Sequence, residues 1–249
     1  MASRIEKRLL NLVGRASKRF DLLEADDRVM VCLSGGKDSY SMMVLLEKIR
    51  RKAPFPFTLV AVNLDQGHPD FEQSIVRNWC VDQGYEHKML AADTYRIVRE
   101  KIPEGKTYCS MCSRLRRGIL YNAAQELGAT KISLGHHADD FIETLMLNML
   151  FAGSVKSMAV RLVSDDKRNI TIRPLVYCAE SDIEVLAKEK GFPIVLCGFC
   201  SSQEQLQRQQ IKRLIAELNG KNPNVRGNLF AALQHVIPSH LLDRTLTRL

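Results

Sequence analysis

Apolar residues return at helical spacing from the start of the chain, at Ile5, Leu9, Leu12, Ala16 and Phe20. That period predicts an amphipathic helix over residues 3–23. The pattern then tightens: Arg28-Val-Met-Val-Cys-Leu33 is a short apolar run between Asp27 and Ser34, and it reads as a buried strand. Gly35-Gly36 follows, and Asp38 or Ser39 opens a helix with Met42, Met43, Leu45 and Leu46 on its apolar face. Phe57 to Leu64 predicts a second strand, ending at Asp65, and residues 70–83 a helix stopped near Gly84. Tyr85 to Leu90 is a third strand candidate. A fourth, Lys131 to Leu134, stops at Gly135 before a helix from Asp140 to Leu150. Ile170 to Arg173 and Pro193 to Leu196 are shorter strand candidates. They flank a helix with a capping box from Ser181 to Glu184 and a stop at Gly191.

Strands and helices alternate over short connections, which predicts an α/β fold with a doubly wound, mostly parallel sheet and helices on both faces. Ligands in such folds bind beyond the carboxyl ends of the strands. The expected organisation is an N-terminal helix over 1–24, a main domain over 25–205 and a helical tail over 206–249.

Charge narrows the partners. The chain has 249 residues and a formal net charge of +8, a balance that favours polyanions. Basic residues cluster at Arg4, Lys7, Arg8, Arg15, Lys18 and Arg19. A second cluster holds Arg96, Arg99, Lys101, Lys106, Arg114, Arg116 and Arg117. Each alone reads as a solvated helix face; together they point to nucleic acid. No apolar run is long enough for a membrane span and the first residues are charged, so a cytoplasmic location is expected. Seven cysteines, an odd number with no export signal, argue for metal or redox sites over disulfides.

The chemistry sits at strand ends. Ser34-Gly-Gly-Lys-Asp-Ser39 lies between a strand and a helix. Its glycines, Gly35 and Gly36, let backbone N–H groups approach an anion at the positive end of the helix. The hydroxyls of Ser34 and Ser39 and the charge of Lys37 add donors, and Asp38 is placed to hold a magnesium ion bridging phosphates. The glycine spacing differs from that of the kinase and GTPase P-loop. A plain strand-to-helix turn is the bland alternative. A second motif, Leu134-Gly-His-His-Ala-Asp-Asp-Phe-Ile-Glu-Thr144, repeats the strand-end context. Asp140 with Glu143 also fits a capping box, and His136 with His137 a zinc pair, though adjacent side chains point apart. Asp65 stands where an acidic residue meets a ribose in dinucleotide folds. Cys109-Ser-Met-Cys112 and Cys197-Gly-Phe-Cys200 are two C-x-x-C pairs whose spacing alone favours structural zinc. Cys32, Cys80 and Cys178 read as buried structural thiols.

The phosphate loop resembles that of the N-type ATP pyrophosphatases (the PP-loop superfamily), which transfer AMP to a carbonyl oxygen. With Lys101-Ile-Pro-Glu-Gly-Lys106, Cys109-x-x-Cys-Ser-Arg-Leu-Arg-Arg-Gly118, Gly135-His-His-x-Asp-Asp140 and Cys197-x-x-Cys200, the chain resembles the tRNA 2-thiocytidine synthetases, the TtcA family, from about Arg8 to His240. That resemblance implies an adenine nucleotide alpha-hydrolase-like fold and ATP-dependent thiolation of C2 of an anticodon-loop cytidine, cytidine 32. It also implies Mg2+ and a [4Fe–4S] cluster on Cys109, Cys112 and a cysteine of the second pair, Cys200 in preference to Cys197. An iron left open would carry sulfide, and a cysteine desulfurase would supply it; a persulfide on a free cysteine is the competing route. Ser34, Gly35, Gly36, Lys37, Asp38, Ser39, Asp65, His137 and Asp140 would line the nucleotide, with Lys37, Asp38 and Asp139 catalytic. Arg114, Arg116 and Arg117 would meet the tRNA, and a homodimer is possible. The rivals are a lysidine synthetase, which shares the loop but attacks with an amine, and a zinc-stabilised RNA-binding module without catalysis.

Overall fold

The computed structural model describes residues 2–67, 72–94, 96–97, 109–195, 203–243 and 245. Two compact units divide it: Met1–Asp139 with Ala159–Leu206, and Asp140–Met158 with Gln207–Leu249.

In the first unit, α1 spans Arg4–Phe20. The Ser3 side chain accepts from the Glu6 N–H at its start, and Asp21 ends it in the left-handed region. Leu9, Val13 and Ala16 are buried, so the inward stripe runs through Val13, while Ile5 and Leu12 are only half-buried. Then come β1 (Arg28–Leu33), α2 (Lys37–Arg50), β2 (Thr58–Asp65), α3 (Gln73–Asp82), β3 (His87–Ala91) and α4 (Cys109–Glu126). After these follow β4 (Lys131–Ser133), α5 (Ala138–Phe151, which enters the second unit), β5 (Arg161–Val163), β6 (Ile170–Ile172) and α6 (Glu180–Lys190).

The strands form one six-stranded sheet in the order β3-β2-β1-β4-β6-β5. Every pairing is parallel except β5 with β6. Alternating strand residues face opposite sides. Met30, Val60, Val62 and Ile132 pack with Ala123 and Ala124 of α4. On the opposite side of β1 stand Val29, Val31 and Leu33, all buried. Helix α2 is buried continuously from Ser39 to Glu47 and contacts α1, α6, β1 and β2. Each fully buried Val, Leu, Ile or Met among them contributes about 1.5–3 kcal/mol by leaving water.

At the amino end of the strands, buried Lys131 pairs with Asp27 (2.7 Å) and Glu24 (2.6 Å), while Thr130 donates to Asp27 (2.6 Å). This ionic cluster ties the entry to β1 to the entry to β4. It lies at the end of the sheet away from the motifs.

In the second unit, α5 continues to Phe151, α7 (Gln203–Lys221) runs on from Gln207 and α8 covers Val225–Ala232. A 3₁₀ turn occupies Pro238–His240. Buried Glu143 accepts from Arg208 (3.0 Å) with Lys212 at 3.6 Å; burial raises its carboxyl, against these cations. No helix among the described residues is long and apolar enough to cross a membrane.

Several sequence expectations shift. The strand expected over 193–196 forms no ladder at residues 193–195; Val195 N–H donates to the Gly35 carbonyl (3.0 Å) and Ile194 N–H turns back to the Phe192 carbonyl (2.9 Å). Helix α2 opens at Lys37 with Gly36 as its cap. Ser39, one turn in, folds its hydroxyl back to the Gly36 carbonyl (2.9 Å). The Ser181–Glu184 capping box does not form, because α6 already begins at Glu180, after Ala179. Likewise α5 begins at Ala138, so Asp140 is inside the helix and no cap. Strand β5 was not expected; all three of its residues are exposed, so no buried run announces it.

Candidate active site

The sheet order changes direction between β1 and β4: the chain leaves β1 toward β2 on one side, and β4 occupies the other. A crevice for ligands opens at such a switch point, beyond the carboxyl ends. Both strand-end motifs meet there.

The loop after β1 is held by its own side chains. The Ser34 hydroxyl accepts from the Gly36 N–H (3.3 Å) and lies 3.3 Å from the Ser39 hydroxyl, which also accepts from the Ser34 N–H (3.2 Å). Gly35 sits at φ +82°, where a side chain is strained. A Cβ there would lie 3.2 Å from that of Val195. Buried Asn63 of β2 donates to the Leu33 carbonyl (2.7 Å) and fixes the strand just before the loop. The loop thus presents a helix start of α2 with its N–H groups outward, the physical basis of anion binding.

The loop after β4 packs directly on this one. A Cβ on Gly135 would lie 3.3 Å from backbone atoms of Asp38 and Ser39, so only glycine lets the two loops close. Buried His137 has Nε2 3.8 Å from Asp38 and Nδ1 3.6 Å from Asp139. The Asp139 carboxylate accepts from the Glu180 N–H (2.8 Å) and so caps α6 from a distance. Lys37 Nζ reaches Glu180 (3.0 Å) and Asp38 (3.4 Å). Burial opposes the Lys37 charge, but Asp38 and Glu180 outweigh it and hold the ammonium above its ordinary range.

One strand further along, the Asp65 carboxylate accepts from the Gly67 N–H (2.8 Å). Beside it, Gln66 accepts from the Cys112 thiol (3.3 Å) and from Thr94 (3.5 Å). Cys112 of the first cysteine pair therefore reaches the same edge of the sheet. Cys109 opens α4 and Cys112 lies three residues on in the same helix. A C-x-x-C spacing at a helix start, where thiolates are favoured, suits a shared metal or cluster. Cys197 and Cys200 lie outside the described residues, as does the Lys101–Lys106 motif. Chain leading to them is anchored on the phosphate loop through Val195.

Asp140 belongs to the second unit, 3.6 Å from Arg208. Among the described residues no three His, Cys, Asp or Glu side chains are arranged to hold a metal ion. Mg2+ needs no such cage: it takes one or two carboxylates and fills its shell with phosphate and water, which Asp38 beside the loop suits. Burial pushes the thiols of Cys32 and Cys178 up to about 12 and that of Cys80 to about 11. Such thiols stay protonated and are poor nucleophiles. Glu180, Gln66 and Asn63 were not singled out by sequence; no local spacing marks them.

Comparison with known proteins agrees with this geometry. A family model described as the PP-loop domain matches residues 1–217. The chain is 55% identical to a tRNA-cytidine(32) 2-sulfurtransferase of Anaeromyxobacter sp. (strain Fw109-5), over 99% of this chain and 82% of that one. It is 52% identical to the protein of that name from Aeromonas hydrophila, over 98% and 81%. Among solved structures, the U34-tRNA thiolase NcsA from Methanococcus maripaludis, described with its [4Fe-4S] cluster, shares the fold with a TM-score of 0.75. That match has 24% identity over 94% of this chain and 81% of the other. The chain belongs to the tRNA-cytidine(32) 2-sulfurtransferase family of PP-loop enzymes.

Proposed function

We propose that the chain uses ATP to activate C2 of cytidine 32 in tRNA and replaces its oxygen with sulfur, giving 2-thiocytidine. The observation that carries this reading is the Cys112 thiol at the carboxyl end of β2, one strand from the phosphate loop. Amine transfer has no use for a thiol there, and a purely structural zinc knuckle has no use for the loop.

Hydroxide is a poor leaving group from the C2 carbonyl. The base oxygen attacks the α-phosphorus of ATP and pyrophosphate leaves; a sulfur nucleophile then adds at C2, and AMP departs with the oxygen. The N–H groups of the loop from Ser34 to Ser39, with Lys37, stabilise charge growing on the phosphates. Asp38 is the carboxylate placed for Mg2+. His137, between Asp38 and Asp139, keeps the two loops in register, and Asp139 holds the start of α6 so that Glu180 meets Lys37. Asp65 and Gln66 border the nucleoside side. Cys109, Cys112 and Cys200 are the residues that would hold a [4Fe–4S] cluster. When bound, the cluster supplies the sulfur-delivery chemistry. A cysteine desulfurase is the proposed sulfur source, in the cytoplasm.

Anaerobically reconstituted protein, given tRNA, ATP, Mg2+ and sulfide, should convert one cytidine to 2-thiocytidine by nucleoside mass analysis. Cys112→Ala should abolish that product while sparing tRNA-dependent pyrophosphate release. An amine adduct, or no ATP turnover with tRNA, would overturn the reading.

A further inference from the structure

Arg173 directly follows β6, the strand next to β4, and so stands at the same carboxyl edge as the two loops. Its Nε donates to Nδ1 of His136 (3.1 Å), and Nη1 donates to the Ala159 carbonyl. A guanidinium carries five N–H donors and accepts nothing. Two contacts therefore clamp the group's orientation and leave the second Nη1 proton and both Nη2 protons for a ligand. Because Arg173 can only donate, His136 is fixed with Nδ1 as acceptor and its proton on Nε2.

The electrostatics are unusual for a half-buried cation. Among the described residues no carboxylate pairs with Arg173. Burial lowers its proton affinity; Tyr121 opposes that, and the nearby Arg117 adds to it. A desolvated charge without a counter-ion is costly, and a second guanidinium in range raises the cost. An anion between the two guanidinium groups would remove the penalty, and Arg–phosphate pairing is the geometry the remaining N–H groups favour.

We infer that Arg173, with Arg117, forms a phosphate-binding subsite of the enzyme, distinct from the loop of Ser34 to Ser39. The phosphate is a phosphodiester of the RNA flanking the reacting nucleotide: Arg117 lies on the exposed face of α4, beside Arg114 and Arg116, where a backbone can reach it. This assignment rests on the tRNA reading above. The alternative source of the same anion is ATP.

Two equilibria separate the sources: tRNA binding without ATP across a salt series, and ATP binding without tRNA. Arg173→Gln should weaken tRNA binding and reduce the slope of log affinity against log salt by about one. ATP affinity should be unchanged. Arg173→Lys, which keeps the charge, should restore the slope and guards against a folding artefact. An unaltered slope with weakened ATP binding would overturn the RNA assignment in favour of a nucleotide phosphate. No change in either would overturn the subsite. Wild-type protein that binds no tRNA would instead refute the underlying tRNA reading.

Discussion

Lys37 stands between two carboxylates, Asp38 and Glu180, half-buried at the start of α2. Its proton affinity is raised above the ordinary 10.5. The ion pairs therefore contribute fully below that value and are lost only as pH rises through the raised one, so Lys37 is cationic throughout the neutral range. Lys37→Met should lower kcat/KM for tRNA-dependent pyrophosphate release about 10²–10³-fold, the usual loss for a preorganised donor. Glu180→Gln should cost less, since it orients the ammonium without touching phosphate. A Lys37→Met enzyme with unimpaired release would remove the residue from the chemistry. Lys37, Asp38 and the serines were readable because loop motifs are local. Glu180 was not: its partner is 143 positions away, and no spacing rule spans that distance. Gln66 and Arg173 escaped for the same reason.

Among the elements, α1 shows how a buried charge replaces an apolar contact. Glu6 is 1% exposed, paired with Lys48 of α2 and with Lys190 of α6 (3.2 Å). Burial pushes its carboxyl up, but the two lysines prevail and its pKa falls below 4.5. The stabilisation is present above 4.5 and disappears as pH falls through the lowered value. Glu6→Gln should cost about 1–3 kcal/mol at neutral pH, read as a lower denaturant midpoint with an unchanged m value. The difference from wild type should vanish in acid; a difference that persists there would show that packing, not charge, is at stake. Periodicity revealed α1 but placed Glu6 on no face of note. It also read a capping box into α6, whose start is capped by Asp139 from the beginning of α5. Helix length and period are written locally; what covers an end is not.

For the molecule as a whole, the net charge of +8 sets how it meets RNA. Arg116 is exposed on the cysteine-bearing helix. Arg116→Gln should weaken tRNA binding and lower the salt slope by about one, at any tRNA sequence. A sequence-dependent loss would mean that Arg116 reads a base. The parallel sheet itself was legible from the alternation of runs, and its carboxyl edge as the place for ligands followed.

That sheet order also dictates a timetable. Strand β1 is flanked by β2 and by β4, and Val29 pairs with Lys131, so one side of β1 waits for about a hundred further residues, roughly 5–20 s of ribosomal synthesis. Glu180 and Val195, which brace Lys37 and Gly35, arrive later still. The phosphate loop is therefore translated well before the segments that complete it: a nascent chain carries the ATP signature long before it can use it.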